Sequence, residues 1–69
     1  MFVLTLAHAI DDRSALHLTK AIRFVDAKAR IEIVRPEQKV FIETQVDLEK
    51  MKRALATDGY QVVTAELRP

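Results

Sequence analysis

Four side chains near the start of the chain have the chemistry to bind a metal ion. They offer imidazole nitrogens and carboxylate oxygens, which zinc, nickel and copper(II) accept as ligands. These side chains are His8, Asp11, Asp12 and His17. Ordinary structural roles compete with this hypothesis, because aspartates at the start of a helix cap its free amides. We therefore expect no cofactor, and we keep a zinc or copper(II) site at His8, Asp11 and Asp12 as an alternative.

The sequence offers little for catalysis. Ser14 and His17 are one helical turn apart, but a catalytic triad also needs an orienting acid and an oxyanion hole contributed by distant segments. The chain contains no cysteine, so it has no thiolate nucleophile, no disulfide and no sulfur ligand for zinc or copper(I). We therefore expect a protein that is not an enzyme.

Length and composition indicate one folded domain over residues 1–69, with 49% hydrophobic residues. Eleven basic and ten acidic residues give a formal charge of +1 with mixed signs, which argues against nucleic acid as a partner. The apolar start, residues 1–10, lacks a basic flank and is too short to span a bilayer. We expect no membrane insertion and a cytoplasmic location.

Hydrophobic periodicity predicts six elements of secondary structure. The first helix is expected to begin at Asp11 or Asp12 and to end near Val25, and the second to begin after Asp47 and to end before Gly59. Strands are predicted over residues 2–7, 29–34, 39–44 and 60–67. This order predicts an α+β, ferredoxin-like βαββαβ sandwich with a four-stranded antiparallel sheet and two helices on one face.

With this spacing the chain resembles the heavy-metal-associated domain family, whose pattern is a strand, M-x-C-x-x-C at the first helix, aliphatic anchors and a late Gly-Tyr pair. The matching anchors are Leu4, Leu6, Leu18, Ala21, Ile22, Ile31, Ile33 and Gly59-Tyr60-Gln61-Val62. The resemblance places the family's metal loop at Ala9, Asp11 and Ser14, with Tyr60 covering the nearby end of the core. A carboxylate and a hydroxyl do not replace two thiolates for soft ions. The family's metal chemistry is therefore not expected here.

RNA-recognition domains and amino-acid-binding regulatory domains share this order of elements. RNA-recognition domains stack bases on aromatic residues of their central strands, where this sequence offers only Phe41. That class is therefore not favoured.

Apolar residues outside the predicted core indicate a protein-interaction surface. Strand alternation places Val3, Val34 and Phe41 on the sheet face away from the helices, with Val63 if Val62 points inward. Ala65 and Leu67 would then join that face, while Leu16 and Phe24 lie off the buried stripe of the first helix. We therefore predict a small interaction or accessory module that binds a protein partner or forms a homodimer. The alternative is a metal-ion carrier that uses histidine and aspartate ligands.

Overall fold

A four-stranded sheet carries two helices on one face in the computed structural model, which describes residues 1–68. The elements are β1 (Phe2–Leu6), α1 (Asp12–Val25), β2 (Arg30–Val34), a 3-10 turn (Arg35–Glu37), β3 (Lys39–Glu43), α2 (Leu48–Thr57) and β4 (Val62–Leu67). The strands pair antiparallel in the order β2-β3-β1-β4. The expected βαββαβ arrangement is therefore confirmed. No helix of the described residues is long and apolar enough to cross a membrane.

Both ends of α1 are fixed by aspartates. The Asp11 carboxylate accepts a hydrogen bond from the Ser14 backbone N–H at 2.7 Å, which is the predicted cap. At the other end, Asp26 accepts hydrogen bonds from the Thr44 hydroxyl at 2.5 Å and from the Lys28 N–H at 3.0 Å. The bond to Thr44 ties the end of α1 to the loop between β3 and α2.

The two ends of α2 differ from each other in how they are capped. Asp47 is the N-cap residue of α2, as expected, and stands in extended backbone, but its side chain makes no capping hydrogen bond. At the other end Gly59 has φ +90°, a conformation that costs glycine little. Its N–H donates to the Ala56 carbonyl, and the Tyr60 N–H donates to the Leu55 carbonyl, both at 3.0 Å. These two hydrogen bonds together form the Schellman motif, which commonly ends a helix.

The core lies between the sheet and the helices. In the hairpin of β2 and β3, Ile31 pairs with Ile42 and Ile33 pairs with Val40. Residues of the central strands, of the inner helix faces and of the loops on either side of α1 form one buried cluster, in which each fully buried aliphatic side chain contributes about 1.5–3 kcal/mol. The cluster consists of Leu4, Leu6, Ile10, Leu18, Ile22, Ala29, Val40, Ile42, Met51 and Leu55.

The sheet face away from the helices does not present the expected apolar patch. Val3 points to that face but is only 2% exposed, since it lies between its strand neighbours Phe41 and Glu66. The Arg68 guanidinium sits 5.8 Å from the centre of the Phe41 ring and binds the Glu66 carboxylate at 2.7 Å. Val34 is half-buried, as is Phe41. The prediction that Val3 belongs to an accessible surface is therefore wrong.

A shift of register in β4 explains why one further prediction about the open sheet face fails. The pairing between β1 and β4 shifts between Thr5 and Leu6, so β4 contains one extra residue there. As a result Val62 and Ala65 both pack against the core, although they are three positions apart. The expectation that Ala65 faces away from the helices is wrong, because it assumed uninterrupted alternation.

Candidate functional site

Three loops meet at the end of the sheet where α1 begins. They are residues 7–11, residues 35–38 and residues 58–61. The first loop is held from both sides, because the Ala7 N–H donates to the Gln61 carbonyl at 3.0 Å and the Leu6 N–H donates to the Gln38 carbonyl at 2.8 Å. The Gln38 side-chain amide also donates to the Leu6 carbonyl at 2.8 Å. The loop that carries the candidate metal ligands is therefore well supported.

Asp11 is engaged by the helix that it caps. The hydrogen bond from the Ser14 N–H, with a further one from the Ser14 side chain, holds the pKa of the Asp11 carboxyl below its usual range. The carboxylate is therefore charged at neutral pH, but one of its oxygens is directed at the helix amides. A metal ion would have to compete with this cap.

Asp12 is engaged by a cation from a different loop. Its carboxylate forms an ion pair with the Arg35 guanidinium, which comes from the turn between β2 and β3. The Asp12 side chain is 94% exposed, so this pair adds little stability. Its effect is on charge, because a guanidinium beside the loop neutralises the carboxylate and repels an incoming cation.

The other residues of the first loop surround a small cavity of about 140 Å³. Tyr60 closes one side of it, and its hydroxyl donates a long hydrogen bond of 3.4 Å to the Ser14 carbonyl. Burial, followed by the charges of Asp58 and Asp11, raises the pKa of Tyr60, so the phenol stays protonated. The lining residues are Leu6, His8, Ala9, Ile10, Ser14, Gly59, Tyr60 and Gln61.

The donor set of this end of the molecule does not fit a soft metal ion. In residues 1–68 no three histidine, cysteine, aspartate or glutamate side chains lie close enough together to hold a metal. His8, Asp11 and Asp12 thus do not form a three-ligand cluster, because the two carboxylates are turned toward Ser14 and Arg35. Cysteine is absent from the whole sequence, and the two methionines are Met1, immediately before β1, and Met51, in the core. Copper(I) therefore finds no thiolate ligand here.

A second feature lies on the helix layer. Leu16 is 55% exposed and Phe24 is 93% exposed, so both extend into solvent from α1 as the sequence indicates. Phe24 stands at the mouth of a groove of about 580 Å³ between α1 and the end of α2. The groove is lined by His17, Lys20, Ala21, Phe24, Val25, Ala54, Thr57, Asp58 and Tyr60.

The sequence analysis did not identify two residues that make contacts where the three loops meet. Arg35 and Gln38 were assigned only to a turn, yet Arg35 pairs with Asp12 and Gln38 holds β1. The proline at position 36 gave a signal for the turn but none for these contacts. Their partners lie more than twenty positions away in the sequence, at separations of 23 and 32 residues.

Solved structures of known proteins share this architecture. The copper chaperone Atx1 from Synechocystis PCC6803, in a trimeric copper form, is 30% identical, with a TM-score of 0.82 over 87% of this chain and 95% of that chain. A second copper form of the same chaperone is 28% identical, with a TM-score of 0.80 over the same shares. A gold binding protein is 21% identical over 90% of this chain and 95% of that chain, with a TM-score of 0.84 that shows the fold alone. No protein-family model and no curated protein sequence matches the chain.

Proposed function

Because the chain belongs to the heavy-metal-associated domain family, the family of Atx1-like copper chaperones, we propose that it is a non-enzymatic, chaperone-like module of metal-ion handling that docks onto a partner protein. The likeness to a copper chaperone over nearly the whole of both chains is the observation that carries this proposal. We also propose that residues 1–69 form one domain acting in the cytoplasm.

The residues of the first loop support a docking role in which this chain binds no metal ion itself. Ala9, Asp11 and Ser14 occupy the positions where the family has its methionine and two cysteines. The Asp11 carboxylate caps α1, and the Ser14 carbonyl accepts from Tyr60. Soft ions bind thiolate in preference to carboxylate or hydroxyl oxygen. The partner therefore supplies any sulfur ligand, and this chain supplies a folded docking surface.

The exposed side of α1 is the docking surface that we propose. Phe24 exposes nearly all of its side chain and Leu16 more than half, whereas Val3 on the sheet is buried. Exposed aromatic side chains beside a groove are typical anchors of protein interfaces. Lys20 lies between Leu16 and Phe24 along the helix and is exposed, which favours a partner with an acidic rim.

A metal-ion carrier is the second candidate, and it is supported by the likeness to two structures of a copper chaperone, at 30% and 28% identity. His8, Asp11 and Asp12 would supply its ligands. Asp11 would have to leave Ser14, and Asp12 would have to leave Arg35. Imidazole and carboxylate donors suit zinc or copper(II) better than copper(I).

Metal titration separates the two functions. The docking module is expected to bind zinc, copper(II) and copper(I) no more tightly than roughly micromolar, since oxygen donors in an exposed loop hold such ions weakly. A carrier would bind one ion tightly and would lose it in His8→Ala, while the matched variant His17→Ala would keep it. Tight binding that is lost in His8→Ala and kept in His17→Ala would contradict the docking module and support the metal-ion carrier.

Site-specific crosslinking tests the docking itself. A photoreactive residue is placed at Phe24 on α1 and, as the matched control, at the exposed Glu43 on the opposite layer. The proposal expects crosslinking in cells from position 24 alone, to a protein that binds or transports metal ions. Equal products from both positions, or products unrelated to metal handling, would contradict it.

A further inference from the structure

The outer edge of β2 is the regular edge of the sheet. The opposite edge strand, β4, contains an extra residue, and such bulges protect an edge from pairing. Within residues 1–68, β2 pairs only with β3, and the register between them is uninterrupted. An unbroken row of backbone groups is therefore available along β2.

The register of the sheet shows which of these groups point outward. The Leu6 N–H donates to the Gln38 carbonyl, so the residues that bond β3 to β1 are the even-numbered ones. The odd-numbered residues of β3 bond to β2, where their partners are Arg30, Glu32 and Val34. The backbone N–H and C=O groups of Ile31 and Ile33 therefore point away from the sheet.

Two charged side chains of opposite sign stand along the same edge. Ile31 and Ile33 pack against the core, so Arg30 and Glu32 lie on the sheet face away from the helices, and both are exposed. Neither of them forms an ion pair with another residue of the described part, residues 1–68. A second β2 strand that arrives antiparallel presents the same two charges in reverse order. The segment Arg30–Glu32 is therefore complementary in charge to itself.

We propose that two copies of this chain associate through their β2 edges, antiparallel about a two-fold axis at Ile31, into one continuous sheet. Ile31 exchanges two backbone hydrogen bonds with the partner's Ile31. On each side of the axis Arg30 of one copy faces the partner's Glu32, which gives two ion pairs. The interface is isologous, as a closed dimer requires, and it uses no residue of the docking surface on α1.

Charge selects this register over its neighbours. A pairing centred on Glu32 would use the whole strand, but it would place the two Glu32 carboxylates directly opposite each other, which is unfavourable. A pairing centred on Ile33 would set Arg30 beside the partner's Pro36 and would form no ion pair. In the register at Ile31 all four charges are paired, and the two half-buried Ile31 side chains cover each other on the core side of the sheet.

Exchanging the charges at the two positions tests the dimer. Sedimentation and NMR diffusion measurements from micromolar to millimolar concentration are expected to show a monomer–dimer equilibrium for the unmodified chain. Arg30→Glu sets glutamates opposite each other, and Glu32→Arg sets arginines opposite each other. Each variant alone is therefore expected to raise the dimer dissociation constant by roughly tenfold to a hundredfold. An equimolar mixture of the two variants is expected to dimerise again, because every pair then joins opposite charges.

The matched control is Lys50→Glu, which makes the same change of charge as Arg30→Glu at an exposed position of α2 and is expected to leave the dimer unchanged. The double variant Arg30→Glu, Glu32→Arg is expected to dimerise as the unmodified chain does, since the two charges only change places. It keeps the test decisive if a single variant folds poorly. Circular dichroism confirms that each variant is folded.

Two further measurements identify the register. Glu32→Gln is expected to weaken a dimer centred on Ile31, because it removes both ion pairs, whereas it would strengthen a dimer centred on Glu32. The Ile31 amide is expected to become protected from hydrogen exchange as concentration rises. A monomer at all concentrations would overturn the proposal. So would a dimer that survives in both single charge variants, one that Glu32→Gln strengthens, or one in which the Ile31 amide still exchanges freely.

Discussion

Substituting Gly59 tests whether the end of α2 requires a glycine. Gly59→Ala forces an L-residue into φ +90°, where its Cβ would meet nothing within 4 Å, so the cost is that of the backbone alone. A left-handed residue other than glycine costs about 1–2 kcal/mol, and alanine recovers about 0.4–1 kcal/mol through a less flexible unfolded chain. The net loss of unfolding free energy is therefore about 1 kcal/mol.

Urea unfolding followed by circular dichroism measures this loss, and a thermal scan is expected to show a melting temperature lower by about 4–8 °C for a chain of this size. Gly59→Asn is expected to lose less, because asparagine tolerates the left-handed region. Asp58→Ala is the matched control, since φ at Asp58 is −88° and alanine adopts it freely. An alanine variant as stable as the unmodified chain would refute the inference that the Schellman motif requires glycine here.

Three further predictions concern acid stability, the loop contact and the sheet face. The pKa values of Asp11 and Asp26 are lowered by hydrogen bonds from Ser14 and Thr44, so their stabilisation is complete above the unfolded pKa of about 3.9 and is lost as pH falls through the folded values. Urea unfolding between neutral and acid pH should show this loss, and the double variant to asparagine should flatten it. Gln38→Ala removes the bond to the Leu6 carbonyl and is expected to cost about 1 kcal/mol in the same assay. Val3→Ala is expected to cost about 1–3 kcal/mol, because Val3 is buried; a neutral effect would show that the side chain is open to solvent.

The elements of the fold followed from local signals in the sequence. Asp11 caps α1 and Gly59 ends α2 as expected, since capping and left-handed backbone depend on residues only a few positions apart. Asp47 occupies the start of α2 but makes no side-chain cap, so residue type predicted the position of the helix and not the hydrogen bond.

The packing of the sheet face away from the helices could not be predicted from the sequence as well as the helices and strands were. The shift of pairing between Thr5 and Leu6 depends on how two distant strands align, and alternation read from a single strand does not contain it. The cover over Val3 likewise needs Arg68 to reach Phe41 across the sheet. The open face was therefore expected to be more apolar and more accessible than it is.

The contacts around the candidate site could not be predicted from the sequence. The loop with His8 and Asp11 lies beside the start of α1, as the family resemblance implied. The ion pair between Asp12 and Arg35 joins two loops through the fold, and spacing in the sequence gives no sign of it. The exposure of Phe24 was visible in the helical pattern, because helix periodicity is local.

Restoring the missing sulfur ligands tests most directly the central claim, that a chaperone scaffold has lost only its donors. The variant Ala9→Met, Asp11→Cys, Ser14→Cys is titrated with copper(I) against a competing chelator, beside the thiol-free control Ala9→Met, Asp11→Ser, Ser14→Ala. One copper(I) is expected to bind per thiol-containing chain, and none is expected to bind to the control or to the unmodified chain. A folded thiol variant that binds no copper(I), or an unmodified chain that binds it tightly, would contradict the account.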